Sequence, residues 1–335
     1  MDPTTPHGQL TAIIFGQMTA SVVSALARLG VPDHLESGPK TAGELAALVN
    51  AKPDLLSRLM RATEGLGILA RTPDGKWAQT PMSDLLRSNS PTSLRYLSSF
   101  MADDWHARSF AALDETVRTG EPAMERVCGM PAFEFFSLHP EAGENFDRAM
   151  TGFSTMESPV VAAAYDFSGI QSLTDVGGGQ GYFLSTILER YPGMQGTLYD
   201  LPQVIQGLAG KLNPKVADRI RLAEGNMFES IPPGADAYIM KRITHDWSDE
   251  LCGKILAGCR AGVREGGKLI VVDSVVPAGS SFSPAKVMDL TMMWFSGGKE
   301  RAEDEFRTLF AASGWKLNRI IPTASPVSLI EGLPV

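Results

Sequence analysis

The sequence predicts an α/β protein: a mostly parallel sheet with helices on both faces and an antiparallel C-terminal hairpin, preceded by a smaller, mostly helical domain in the outline of a winged helix. Three observations predict it. From Ser168 onward, apolar strands such as "SLTDVGG", "GTLYDL", "ADAYIMKRI" and "GKLIVVDSVV" alternate with helical stretches, the pattern of parallel strands joined by helical crossovers. The last two apolar runs, "WKLNRIIPT" and "SPVSLIEGL", lie too close together for such a crossover and should pair antiparallel. Before Arg95, three helical stretches are followed by one small hairpin. The domains are placed at 1–95 and 96–335, with 96–166 a helical segment of the second.

The first helix, "LTAIIFGQMTASVVSALARLGVPDHL", has apolar residues at helical spacing and is stopped by Gly30 and Pro32. Its "IIFGQMTASVV" is too apolar to face water all round, which points to cover by another chain. "TAGELAALVN" opens with Thr41 as N-cap and Glu44 three residues on, a capping box. "KPDLLSRLMRATEGLGIL" is the third helix, and "LARTPDGKWAQT" reads as two short strands about a Pro-Asp-Gly turn. Winged helices invite a DNA-binding reading. Here the third helix sets Lys52, Arg58 and Arg61 against Asp54 and Glu64, and the basic footprint is missing, so packing or dimerisation is favoured. The 96–166 segment carries Phe100, Trp105, Phe110, Met130, Phe133, Phe135, Phe136, Phe146, Met150 and Phe153, a stripe that suits either a core or an adaptable pocket.

Composition narrows the partners. The 335 residues are 44% hydrophobic and 20% charged, an ordinary globular balance, and the net charge of −8 disfavours nucleic acid. The expectation is a cytoplasmic protein with no signal peptide, no apolar run long enough to span a bilayer and no membrane partner. Cys128, Cys252 and Cys259 form no CxxC pair and read as reduced thiols. His7, His34, His106, His139 and His245 form no metal-ligand spacing, so no metal is expected.

The chemistry gathers at "DVGGGQG", after the first strand of the sheet, where open α/β sheets bind ligands. A dinucleotide fingerprint would need glycine at position 182, which is Tyr182, and a P-loop would need a lysine that is absent. Missing side chains at Gly177 and Gly179 would still let a ligand approach the backbone. Asp200 ends the second strand and can accept from ribose hydroxyls; Asp175 ends the first and can anchor the loop or accept from an ammonium. Acids without phosphate features suit a cationic nucleoside, and S-adenosylmethionine fits. Either acid could also simply cap a neighbouring loop.

With "DVGGGQG…YPGMQGTLYDLP", "GNMF", "KRITHDWSDELCGKIL", "GGKERAEDEF" and "SPVSLIEG" in order, the chain resembles S-adenosylmethionine-dependent O-methyltransferases of the plant caffeate and acetylserotonin type and their bacterial polyketide-tailoring relatives. The resemblance covers nearly the whole chain. It implies a Rossmann-like methyltransferase sheet and a winged-helix-like N-terminal dimerisation domain, hence a homodimer. By position it implies Asp175, Gly177 and Gly179 at the methionine part of the cofactor, Asp200 with Leu201 at the ribose, and Gly225, Asn226, Met227 and Phe228 at the adenine, with Asn226 where the family usually has Asp. Lys241 or Arg242 falls at the cofactor carboxylate. Phe146, Met150 and Ser154 fall at cofactor and substrate edges. His245 matches the general base, with Asp273 and Glu300 to orient it; the family commonly has Glu at 273, one methylene longer.

The implied activity moves the methyl group of S-adenosylmethionine to a hydroxyl of an aromatic small molecule without a metal. A phenol ionises near ~10, so a neutral-pH enzyme needs a base to make the nucleophile. Trp105, Met130, Phe133, Phe153, Met288, Met292 and Trp294 are candidates for the acceptor wall. Some relatives bind the cofactor but decarboxylate or hydroxylate aromatic polyketides instead; the His-Asp-Glu set argues for transfer. A DNA-binding regulator and a nicotinamide dehydrogenase are disfavoured by the acidic total and by Tyr182, respectively.

Overall fold

The computed structural model of the chain describes residues 4–208 and 210–335. Its contacts divide the chain into two compact units. One runs to Arg108 and takes in Phe133–Gly152; the other holds Ser109–Ala132 and Phe153–Val335. The segment 96–166 is thus shared between the units rather than belonging whole to the second. Ring packing shows why. Phe100 meets Trp105 at 5.2 Å and Phe136 stacks on Phe146 at 4.6 Å, whereas Phe110 packs at 6.0 Å on Trp294.

In the first unit, the helix Pro6–Arg28 is followed by Val31–Leu35, Ala42–Leu48 and Pro53–Gly65, then by the antiparallel pair β1 (Leu69–Arg71) and β2 (Trp77–Gln79). Gly30, at φ 71°, ends the first helix, but Pro32 sits in the first turn of a new one, where its missing N–H costs nothing. Thr41 and Glu44 close their capping box: Thr41 Oγ1 accepts from Glu44 N at 3.2 Å and Glu44 Oε2 accepts from Thr41 N at 2.7 Å. Leu26, Leu45, Leu56, Met60 and Trp77 form the core.

The expectation that no apolar run could span a bilayer is corrected here. Pro6–Arg28 has 23 residues and is long and apolar enough to do so by length and composition. It holds no Asp, Glu, Lys or Arg before Arg28, and Thr11, Thr19, Ser21 and Ser24 donate their hydroxyls to carbonyls four residues back, satisfying them within the helix.

The second unit holds a seven-stranded sheet in the order β5-β4-β3-β6-β7-β9-β8, made of β3 (Ser172–Val176), β4 (Gln195–Asp200), β5 (Ile220–Glu224), β6 (Ala235–Lys241), β7 (Val263–Asp273), β8 (Trp315–Pro322) and β9 (Ser328–Pro334). β3 to β7 run parallel; β9 pairs antiparallel with β7 and β8. Alternation along the strands builds two cores. Ile239, Ile270 and Val272 join one with Phe183 and Leu184; Tyr238, Met240, Leu269 and Val271 join the other with Ile255, Leu256 and Phe310. The order reverses between β3 and β6, so the carboxyl ends of those two neighbours open the crevice where such sheets bind ligands.

Candidate active site

At the end of β3 the chain turns through Gly177, Gly178 and Gly179. Gly177 and Gly179 have φ of 70° and 55°, a conformation L side chains rarely take. The two differ in what they leave room for. A Cβ at Gly177 would meet Ile243 Cδ1 at 2.5 Å, so the protein's own packing requires glycine there; at Gly179 nothing lies within 4 Å. Asp175 is buried, and its Oδ2 has no partner among the described residues. Burial pushes its carboxyl up to about 7, with Lys241 pulling the other way. Asp200 both anchors the loop and keeps acceptor capacity: Oδ2 accepts from Gly179 N at 2.8 Å and Oδ1 from Leu201 N at 2.7 Å. Gly225 N donates to Asp200 O at 3.0 Å, bringing Gly225-Asn226-Met227-Phe228 beside it. Asn226 Oδ1 accepts from Phe228 N at 3.0 Å and its Nδ2 donates to Glu229 at 2.9 Å.

Beyond β6, a three-residue turn, Thr244–Asp246, carries His245, which is 6% exposed. Its Nδ1 lies 2.9 Å from Glu300 Oε1, and Glu300 is buried too. The imidazole is thereby oriented through Nδ1, and the Asp246 carboxylate stands 3.8 Å from its Nε2. Asp273, at the end of β7, does not bond the imidazole. Its Oδ2 accepts from Thr244 Oγ1, and its Oδ1 has no partner among the described residues. Of the two acids expected to orient and polarise His245, Glu300 bonds the imidazole, while the shorter Asp273 bonds the neighbouring hydroxyl and acts on the imidazole by its charge. Burial would depress the imidazole; the carboxylates of Asp246, Asp273 and Glu300 outweigh it and raise His245 to about 9.

A buried imidazole bonded to a buried glutamate, at the switch of an open sheet, is an arrangement for moving a proton. Residues 110–316 match the O-methyltransferase domain and residues 11–89 the O-methyltransferase dimerisation domain. The chain belongs to the O-methyltransferase family. It is 37% identical over 327 residues to a phenazine O-methyltransferase of Lysobacter antibioticus, covering 97% of this chain and 96% of that protein. It matches the crystal structure of LaPhzM with a TM-score of 0.94 and 36% identity, over 99% and 100% of the two chains. Human N-acetylserotonin methyltransferase, solved in complex with SAM, matches with a TM-score of 0.91 and 25% identity over 100% and 99%.

This O-methyltransferase is S-adenosylmethionine-dependent, and its residues fit that cofactor. Asp175 Oδ2, buried without a partner, suits a cationic ligand, and the open side of Gly179 leaves backbone within reach. The basic pair divides its work. Arg242 gives its guanidinium to Glu157 through both Nε, at 3.0 Å, and Nη2, and takes φ 55° in doing so. Lys241 Nζ donates to Ser154 Oγ at 2.9 Å and stands 3.9 Å from Glu157, which leaves it donor capacity; burial depresses its pKa.

The acceptor-wall candidates belong to both units: Trp105, Phe133 and Phe146 lie in the first, as does the cofactor candidate Met150. In the second, the Phe153 ring sits 5.8 Å from the Arg242 guanidinium, Met130 and Met288 are half-buried, and Met292 is 6% exposed. Trp294, at 0%, is enclosed against Phe110 and Phe295 and offers no surface to a ligand. Sequence reasoning missed Glu157, Asp246 and Arg301. Glu157 had a signal: it is the one charge in an otherwise uncharged run from 149 to 165. Asp246 and Arg301 each sit beside a residue the motifs had already marked.

Proposed function

We propose that the chain methylates a hydroxyl of an aromatic small molecule, with His245 as the base. Bound at the switch, S-adenosylmethionine supplies an electrophilic methyl carried on a sulfonium. Asp175 would accept from its ammonium, Lys241 would face its carboxylate, and Asp200 with Leu201 would take its ribose hydroxyls. Asn226 would meet the adenine with a carbonyl already shared with Phe228 N. Phe153 and Met130 would line the acceptor. The acceptor hydroxyl gives its proton to His245 Nε2 and its oxygen becomes the nucleophile; Glu300 holds the imidazole through Nδ1, and Asp273 and Asp246 stabilise the imidazolium by charge.

The His245 Nδ1–Glu300 contact at 2.9 Å carries this reading. The aromatic acceptors that name the phenazine and N-acetylserotonin relatives support it. The exposed face of Pro6–Arg28, in the matched dimerisation domain, supports a homodimer through the N-terminal unit. The buried, reduced thiols of Cys252 and Cys259 support a reducing, cytoplasmic setting. Methyl-labelled S-adenosylmethionine offered with a panel of hydroxylated phenazines, indoles and naphthoates should leave label on an aromatic oxygen. Label on none of them, with the cofactor bound, would count against the acceptor class.

A further inference from the structure

One buried cation has no part in the proton transfer just described. Arg301 is 1% exposed and directly follows Glu300. Its Nη1 donates to Thr244 O at 2.6 Å and its Nη2 to Trp247 O at 3.0 Å, the carbonyls on either side of His245. Its Nε donates to Asp249 Oδ1 at 2.9 Å, in the first turn of the helix Asp249–Gly262. Its own carbonyl accepts from Val276 N at 2.9 Å, tying it to the chain that leaves β7 beyond Asp273. Cys252 Sγ, 3.2 Å from Thr244 O, and 3.5 Å from Arg301 Nη2, closes the cluster. Alongside, Gly298 lies so near the turn that a Cβ there would stand 2.0 Å from His245 O.

The geometry points to Arg301 as the positioning residue that holds the Thr244–Asp246 turn where His245 Nδ1 meets Glu300. This rests on the reading of His245 as the base. A three-residue 3₁₀ turn has little hold of its own, and buried carbonyls need donors. A guanidinium offers five N–H groups in a rigid fork, enough to serve two carbonyls and a carboxylate together. A lysine at 301 would keep the charge and lose the fork. Arg301 does not bond the imidazole, so its effect passes through the turn.

The test follows the imidazole itself. In the full chain labelled with ¹⁵N-histidine, the His245 signal is assigned by its loss in His245→Gln and titrated. The groups facing it, Asp246, Asp273, Glu300 and Arg242, are left unchanged. In Arg301→Lys the midpoint should fall by about one pH unit, a tenfold loss in proton affinity, because the Nδ1–Glu300 bond loosens. S-adenosylmethionine affinity by calorimetry should hold. A lower melting temperature with an unchanged His245 midpoint would overturn the assignment and leave Arg301 a packing role. Should Arg301→Lys fail to fold by circular dichroism, Asp249→Asn decides: it removes the guanidinium's carboxylate partner at the helix start and should move the midpoint the same way, and no movement overturns the proposal. Undiminished methyl transfer by His245→Gln is a separate result that defeats the base itself.

Discussion

His245 is buried among carboxylates that favour its charged form, and this has two consequences of known sign. With a folded-state pKa of about 9, the imidazolium stabilises the fold fully below about 6.5, and that contribution is lost as pH rises through about 9. In the proposed role of base the sign is opposite, since only neutral imidazole can take a proton. kcat/KM for methyl transfer should therefore climb about tenfold per pH unit below a plateau near 9. A profile flat from neutral to alkaline pH would contradict the assignment. Residue identity alone did not reveal this. The motif shows a histidine and two acids, but not that Asp273 would bond Thr244 while Glu300 met the imidazole. A sequence carries side-chain length without the distance it must span.

At the level of elements, the site is two short segments pressed together: the turn after β6 and the chain at 298–301. The fit is backbone against backbone, and glycine permits it. A Cβ at Gly298 would stand 2.0 Å from His245 O and 2.6 Å from the Asp246 carbonyl carbon, neither of which can rotate aside. Gly298→Ala should therefore displace the turn and lower methyl transfer by ~10²-fold, the size expected when a reacting group moves by about 1 Å. S-adenosylmethionine binding, which uses the ends of β3 and β4 in the reading above, should be largely kept; calorimetry beside the transfer assay checks both halves. The strands themselves were legible, because alternation and crossover spacing are local properties. The pairing of 298 with 245 was not, since 53 residues separate them in the chain and only the fold brings them together. Glu157 and Arg242, 85 apart, escaped for the same reason.

Across the whole molecule, the Pro6–Arg28 helix is the feature that the single chain leaves unfinished. Ile13, Ile14 and Met18 are 75%, 63% and 65% exposed in a stretch without charge. Covering that face with a second copy removes apolar surface from water at roughly 25 cal/mol per Å². Ile13→Glu with Met18→Glu should convert dimers to monomers in analytical ultracentrifugation while the unit's own core, built on Leu26, Leu45 and Trp77, stays folded. A wild-type chain that sediments as a monomer would contradict the role given to this helix. The sequence marked this face as too apolar to stand alone; it missed that the same run is long enough to span a bilayer. Proton transfer from the acceptor to His245 is the proposed step on which the rest turns. The most direct measurement compares wild type with His245→Gln for transfer of labelled methyl, with cofactor binding measured on both. The predicted result is wild-type binding of S-adenosylmethionine and a rate lower by about 10²–10⁴-fold; an equal rate in the variant would contradict it.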